Sequence, residues 1–98
     1  MKKEIIKLDG KLAEGYILDM GPVNMVFAKS EKGMIGCGVF DVETFQKFSY
    51  PAVKVKGKTG PIKDINDLLE AEAVAVNDSA LLLGISPGDS GRTALEKM

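Results

Sequence analysis

Apolar and polar positions alternate with a period of two over the first forty residues, a pattern typical of β-strands. The runs at residues 4–8 and 11–20 are joined by Asp9-Gly10, a pair suited to the positive φ angles of a two-residue hairpin turn. A third run covers residues 23–30, and Glu31-Lys32-Gly33 returns the chain into a fourth. The pattern therefore predicts a four-stranded antiparallel meander.

The second run is apolar on both faces. Leu12, Tyr16 and Leu18 share one face, whereas Ala13 and Ile17 share the other. A strand of this kind is expected to be covered on both sides. This pattern motivates the hypothesis that the N-terminal β region forms a subunit interface.

A helix should follow the meander. Asp41 is suited to cap it, and an apolar stripe that should pack on the sheet recurs at helical spacing: Val42, Phe45 and Phe48. Tyr50-Pro51 ends this helix, because the residue before a proline is disfavoured in the α region. Residues 52–56 then alternate valine with lysine and predict a fifth strand with one wet face.

Short helices are predicted in the C-terminal half. Asp64 or a neighbour begins one whose apolar positions face inward: Ile65, Leu68 and Leu69. Whether residues 72–76 extend it or form a brief strand stays open, because their periodicity fits both. Asn77-Asp78 can cap a helix that carries Leu81 and Leu82 and ends at Gly84. The last helix, capped by Asp89 or Ser90, should present three residues to the core: Ala94, Leu95 and Met98.

Taken together, residues 1–98 predict one α+β domain, with an N-terminal antiparallel β-meander plus a fifth strand, packed with three to four short helices mainly in the C-terminal half. The 98 residues carry a net charge of −1, which gives no global field for nucleic acid or an anionic membrane. We therefore expect nucleic acid to be an unlikely partner. The charged N-terminal segment and the lack of a long apolar run indicate a cytoplasmic protein that does not enter a membrane.

The single cysteine, Cys37, lies between Gly36 and Gly38. One cysteine and no histidine leave neither a disulfide nor a structural zinc site, so we expect no metal and no cofactor. The thiol also lacks the imidazole that activates most cysteine nucleophiles. A small buried side chain is its more ordinary role, and the two glycines would leave a trough in the fourth strand where something approaches the sheet.

Three further features are candidate ligand sites. Asn24 lies in an apolar β-run, where an inward-facing amide needs hydrogen-bonding partners and could anchor Cys37 or a ligand, although a hydrogen bond to a neighbouring loop or subunit is the simpler interpretation. Arg92 follows a turn and a helix start, the ingredients of a small anion site, although a helix cap is the simpler interpretation. A lysine series two residues apart could bind phosphate, but is more typical of a solvated edge strand: Lys54, Lys56 and Lys58.

Three segments together resemble the YunC-like family of bacterial and archaeal proteins, a domain of unknown function. They are residues 32–42 (KGMIGCGVFDV), 65–71 (INDLLEA) and 83–95 (LGISPGDSGRTAL). Their order and spacing agree with the family over nearly the whole chain, although Asp89 stands where relatives are expected to carry methionine. The resemblance implies an α+β fold whose N-terminal β region mediates assembly into a homotetramer, and it implies no established reaction.

The leading hypothesis is a cytoplasmic, homo-oligomeric, non-enzymatic module that assembles through its N-terminal β region. The alternatives are an enzyme or redox protein that depends on Cys37, and a protein that binds a small anion or nucleotide through Arg92 or the three lysines.

Overall fold

The computed structural model describes residues 1–38 and 41–98, and the elements below are those of the described residues. They are, in chain order, β1 (Lys2–Leu8), β2 (Lys11–Asp19), β3 (Asn24–Lys29), β4 (Met34–Gly36), α1 (Val42–Gln46), β5 (Ala52–Lys56), α2 (Ile65–Glu70), β6 (Glu72–Val76), α3 (Asp78–Leu81) and α4 (Gly91–Lys97).

The strands form one six-stranded sheet in the order β1-β2-β3-β4-β5-β6. Neighbours through β4 are antiparallel, which confirms the predicted meander, and β6 is antiparallel to β5. β4 and β5 are parallel, so the chain between them must cross over, and α1 lies in that connection. The fold is α+β as predicted, and the open choice at residues 72–76 resolves to a strand.

Short polar side chains begin all four helices, as the sequence predicts for each. Every cap oxygen accepts a hydrogen bond from a backbone N–H in the first turn, at 2.8–3.1 Å. The caps are Asp41, Asp64, Asn77 and Ser90. At the last helix the cap is therefore Ser90 and not Asp89. Gly84 follows α3 with a φ of 86°, the left-handed conformation expected of a helix terminator.

Helices α2 and α4 pack on one face of the sheet, here called the inner face. This face buries Ile6 and Ile35, and the predicted inward positions of both helices join the same core cluster. Gly15 allows α2 to approach closely, because a Cβ there would lie 2.7 Å from Cδ1 of Ile65. The glycine therefore has a packing role in β2.

Two details of the predicted helix and strand were wrong. Phe48 does not pack on the sheet: α1 ends at Gln46, and the Phe48 side chain is 76% exposed in the turn that follows. β5 is not the edge strand that its lysines suggested, because it lies between β4 and β6. Lys54 is half-buried and Lys56 is exposed, on the face opposite the buried valines. The lysines of β5 therefore do not protect a sheet edge.

The opposite face of β1–β3, here called the outer face, carries an apolar patch. Ile5 and Leu12 are 57% and 63% exposed, and the other members are half-buried. The outer patch comprises Ile5, Leu12, Tyr16, Leu18, Met25 and Phe27. Because α2 and α4 lie on the inner face and α1 and α3 contact β5, no described helix covers this patch. Among the described residues no helix has the length and hydropathy of a membrane span.

Candidate functional site

Cys37 lies directly after β4, and its side chain is only 7% exposed. Its backbone N–H donates to the carbonyl oxygen of Val26 at 3.1 Å, which extends the pairing of β3 and β4 by one residue. Gly36, also buried, lies opposite Phe27 on β3 and Lys54 on β5. A thiol buried in this way is not exposed to a substrate in this structure.

Gly38 is exposed and lies outside the fourth strand, which ends at Gly36. The prediction that both glycines lie within one strand was wrong. A Cβ at Gly38 would meet nothing within 4 Å, so no described atom approaches the chain at this position. The last two of the forty residues predicted to form the meander, Val39 and Phe40, fall outside the described residues.

Asn24 is exposed at the first position of β3, so its amide does not face inward and does not anchor Cys37. Its Nδ2 donates to the carbonyl oxygen of Lys63 at 3.3 Å. This bond links the start of β3 to the segment that precedes α2. The amide therefore has a local partner, and that partner is not Cys37.

Arg92 is turned away from the start of α4. Its Nη1 donates to the carbonyl oxygen of Lys7 on the edge strand β1, at 3.4 Å. The carboxylate of Asp89 instead accepts hydrogen bonds from the Ser86 N–H, at 3.0 Å, and from Nζ of Lys97, at 3.1 Å. The turn and Arg92 therefore do not form an anion site together. The Asp89 carboxylate already accepts the hydrogen bonds that an anion in this turn would need.

Two of the three predicted lysines lie beside the same surface groove. Lys56 and Lys58 line a surface groove of about 270 Å³ together with Gly57, Glu72 and Val74. A second groove of about 190 Å³ lies on the other side of the same turn, against Asp67 and Glu70 of α2. Both grooves lie where β5 ends.

Sequence reasoning missed the connecting role of Asn77, which it identified only as a helix cap. Besides capping α3, its Oδ1 accepts the Ala52 N–H at 3.1 Å. Its Nδ2 donates to the carbonyl oxygens of Val42 and Tyr50, at 3.1 and 2.8 Å. The signal in the sequence was the amide itself, since asparagine both donates and accepts, whereas an aspartate cap only accepts.

A small charge cluster lies within the outer face. Glu14 Oε2 is 2.9 Å from Nζ of Lys3, and Oε1 accepts a hydrogen bond from the Tyr16 hydroxyl at 3.2 Å. Lys29 Nζ is 3.9 Å from the same carboxylate. The hydrogen bond and charge of Lys3 lower the pKa of Glu14 below its ordinary value, and those of Glu14 raise the pKa of Lys3. The carboxylate is therefore paired before anything covers this face.

The candidate residues do not form one constellation. Among the described residues, no group of three or more His, Cys, Asp or Glu side chains is placed to hold a metal ion. Cys37 follows β4, and Arg92 reaches the β1 edge. The 270 Å³ groove lined by Lys56 and Lys58, here called the lysine groove, lies at the end of β5. The two surfaces most suited to binding are thus the apolar outer patch and the positively charged side of the lysine groove.

Comparison with known proteins agrees with this architecture. Residues 36–98 match the family model "Domain of unknown function (DUF1805)". The chain belongs to the DUF1805 family. It is also 30% identical to the uncharacterized protein YunC of Bacillus subtilis over 93 residues, which cover 95% of this chain and 92% of YunC. The resemblance to the YunC-like family is thereby confirmed.

A solved structure shares the DUF1805 chain's fold. The crystal structure of a protein of unknown function, TA1206 from Thermoplasma acidophilum, superposes with a TM-score of 0.86 at 32% sequence identity. The match covers 98% of this chain and 90% of that one. The α+β fold is therefore shared over essentially the whole chain.

Proposed function

We propose that this DUF1805 protein is a cytoplasmic module that self-associates through the outer face of β1–β3, into the homotetramer that the family resemblance implies. The observation that carries the proposal is the outer patch. Its two most exposed members, Ile5 and Leu12, present large aliphatic side chains to water at 57% and 63% exposure. Clustered exposed apolar residues of this kind mark interaction surfaces, whereas scattered single ones do not.

The outer face has a geometry suited to a second copy of the same chain. β2 contributes nine residues, so the face is about 30 Å long, comparable with the span of an ordinary interface. Tyr16 and Phe27 stack with ring centroids 5.2 Å apart and an interplanar angle of 19°, which gives a flat surface for packing. A twofold axis would place the same flat surface on both partners and so build a pair, and two such pairs would form the tetramer through a second surface.

The carboxylate of the outer face already has partners. Glu14 is held by Lys3 and Lys29, so it would not enter an interface as an unpaired charge. A buried charge costs most when it has no partner. The edge of β1 is a less suitable surface, because lysines flank it and Arg92 already binds the Lys7 carbonyl.

The cytoplasmic part of the proposal is supported by composition. The chain has one cysteine and hence no intramolecular disulfide, and the Cys37 thiol is free and buried. Small domains that work in oxidising compartments commonly depend on disulfides for stability. A reducing compartment fits a chain of 98 residues that has none.

Size-exclusion chromatography with light scattering tests the assembly. At micromolar concentration we expect a mass near four times the 10.5 kDa of one chain. Leu12→Glu should dissociate the assembly, since the new carboxylate would be buried in the interface. Lys7 lies directly opposite Leu12 on β1 and can pair with the new carboxylate in the monomer.

Leu82→Glu is the matched control, because Leu82 is an 88% exposed leucine that lies outside the sheet. It should leave the mass unchanged. A wild-type protein that runs as a stable 10.5 kDa monomer at micromolar concentration would remove the proposal. Equal effects of the two substitutions would move the interface away from the outer face.

A further inference from the structure

We propose that the turn after β5 is a binding site for a small phosphate-like dianion, held between the ammonium groups of Lys56 and Lys58. This site goes beyond self-association and involves a different part of the sheet. Both lysines line the 270 Å³ groove with Gly57 between them, and Glu72 and Val74 of β6 form its other wall. The two cations thus share one concave surface.

Neither lysine is engaged by the described protein. Lys56 and Lys58 form no ion pair or side-chain hydrogen bond with the described residues, whereas Lys3, Lys29 and Lys97 each face a carboxylate. Protection of a sheet edge does not account for them, because β5 is an interior strand. Within this groove, two ammonium groups face the single carboxylate of Glu72.

The turn backbone adds neutral donors. The N–H groups of Lys58, Thr59 and Gly60 donate to no acceptor among the described residues. The turn is tight, because a Cβ on Gly57 would collide with the carbonyl oxygen of Gly60. Clustered free N–H groups and lysine side chains are the donors that proteins use to bind phosphate oxygens.

The spacing of the two lysines suits a single phosphate group. Lys56 is the last residue of β5, and Lys58 lies in the turn that follows. Two residues of chain span at most about 7 Å, a distance that two lysine side chains can bridge around one phosphate group.

Glu72 limits the affinity for an anion, and the groove volume limits the size of the ligand. It lies opposite Lys56 in the β5–β6 register, so one carboxylate opposes the two ammonium groups. The groove is also smaller than the roughly 300–1,000 Å³ of pockets that enclose drug-sized ligands. Inorganic phosphate or the phosphate group of a small monoester fits these limits, whereas a dinucleotide does not.

Amide-resolved NMR with inorganic phosphate at constant ionic strength is the test. We expect saturable shifts at residues 56–60, with a dissociation constant of about 1 mM or below. The double variant Lys56→Gln/Lys58→Gln should weaken binding by about tenfold or more, because both ammonium groups are lost. Lys32→Gln/Lys47→Gln removes the same charge from two exposed lysines elsewhere and should leave binding unchanged.

Glu72→Gln should change the affinity for phosphate in the opposite direction. It removes the opposing carboxylate and should tighten phosphate binding by about threefold to tenfold, the range expected of one charge near a protein surface. Shifts that grow linearly without saturation would overturn the site. So would equal weakening by the two double variants, or an unchanged affinity in Glu72→Gln.

Discussion

At the scale of single residues, the Asn77 side chain makes four hydrogen bonds. It accepts from the N–H groups of Ala52 and Ala80 and donates to the carbonyl oxygens of Val42 and Tyr50. The side chain is buried, so these backbone groups have no water to replace it. One amide therefore fixes α1 and α3 against the start of β5.

Asn77→Ala should lower the free energy of unfolding by about 2–4 kcal/mol, since it removes a helix cap and leaves buried backbone groups unpaired. Urea denaturation of the two proteins measures the difference. The matched control is Asn24→Ala, which removes one exposed hydrogen bond and should cost less than about 1 kcal/mol. Equal losses in the two variants would contradict the connecting role of Asn77.

Asp89 gives the stability a defined dependence on pH. Hydrogen bonds from the Ser86 N–H and from Lys97 hold the pKa of Asp89 below its ordinary value of 3.8. A carboxyl whose pKa is lowered by folding stabilises the protein above its unfolded pKa, and this contribution is lost as the pH falls through the folded pKa. Acid should therefore remove it below about pH 4.

The Asp89→Asn variant tests this sign. Wild-type protein should be the more stable of the two near neutral pH, and the difference should shrink as the pH falls below about 4. Lys97→Gln keeps the Ser86 hydrogen bond, which is the larger cause, so it should retain most of the pH dependence. Urea denaturation across this pH range measures both. A difference that stays constant with pH would contradict the assignment.

At the scale of elements, Gly91 determines how closely α4 approaches α2. A Cβ on Gly91 would overlap the carbonyl oxygen of Leu68 and lie 3.2 Å from Cδ1 of Ile35. The Asp64 cap and the inner face hold α2 in place, so α4 would have to move. Alanine favours a helix more than glycine does, but the overlap with a backbone atom outweighs that gain.

Gly91→Ala should therefore destabilise the protein by about 1–3 kcal/mol. Gly38→Ala is its control, because a methyl group there meets open space and an ordinary φ, and it should be neutral or stabilise slightly. Thermal and urea unfolding of both variants provide the comparison. A loss of stability in Gly38→Ala of the same size would mean that the contact between α4 and α2 does not decide the effect.

The elements also show what the sequence could predict. Caps and turns depend on neighbouring residues, so Asp41, Asp64 and the Asp9-Gly10 hairpin were identified from sequence. Ser90 was one of the two candidates for the last cap. Features that depend on distant chain segments were not identified. β5 is an interior strand because β6 pairs with its second edge, and Asn24 is exposed at the first position of β3. Lys56 and Lys58 were identified as a pattern, but the groove that joins them requires Glu72 from β6.

At the scale of the whole molecule, stability and assembly are linked. A chain of 98 residues buries only about 60–65% of the surface that its unfolded form exposes, so one copy has a limited core. Among the described elements, α2 and α4 cover the inner face, whereas Ile5 and Leu12 of the outer patch stay more than half exposed in a single copy. Covering that patch with a second copy adds apolar burial that the chain cannot supply by itself.

The thermal midpoint should consequently depend on protein concentration, because association that involves only the folded state stabilises it by mass action. In calorimetry over a roughly hundredfold concentration range, the wild-type midpoint should rise by several degrees. Leu12→Glu should unfold at a lower midpoint that is independent of concentration, since its monomer keeps the inner core but loses the outer contact. Leu82→Glu should follow the wild type. A wild-type midpoint that stays constant across that range would show that the outer patch contributes nothing to stability through assembly.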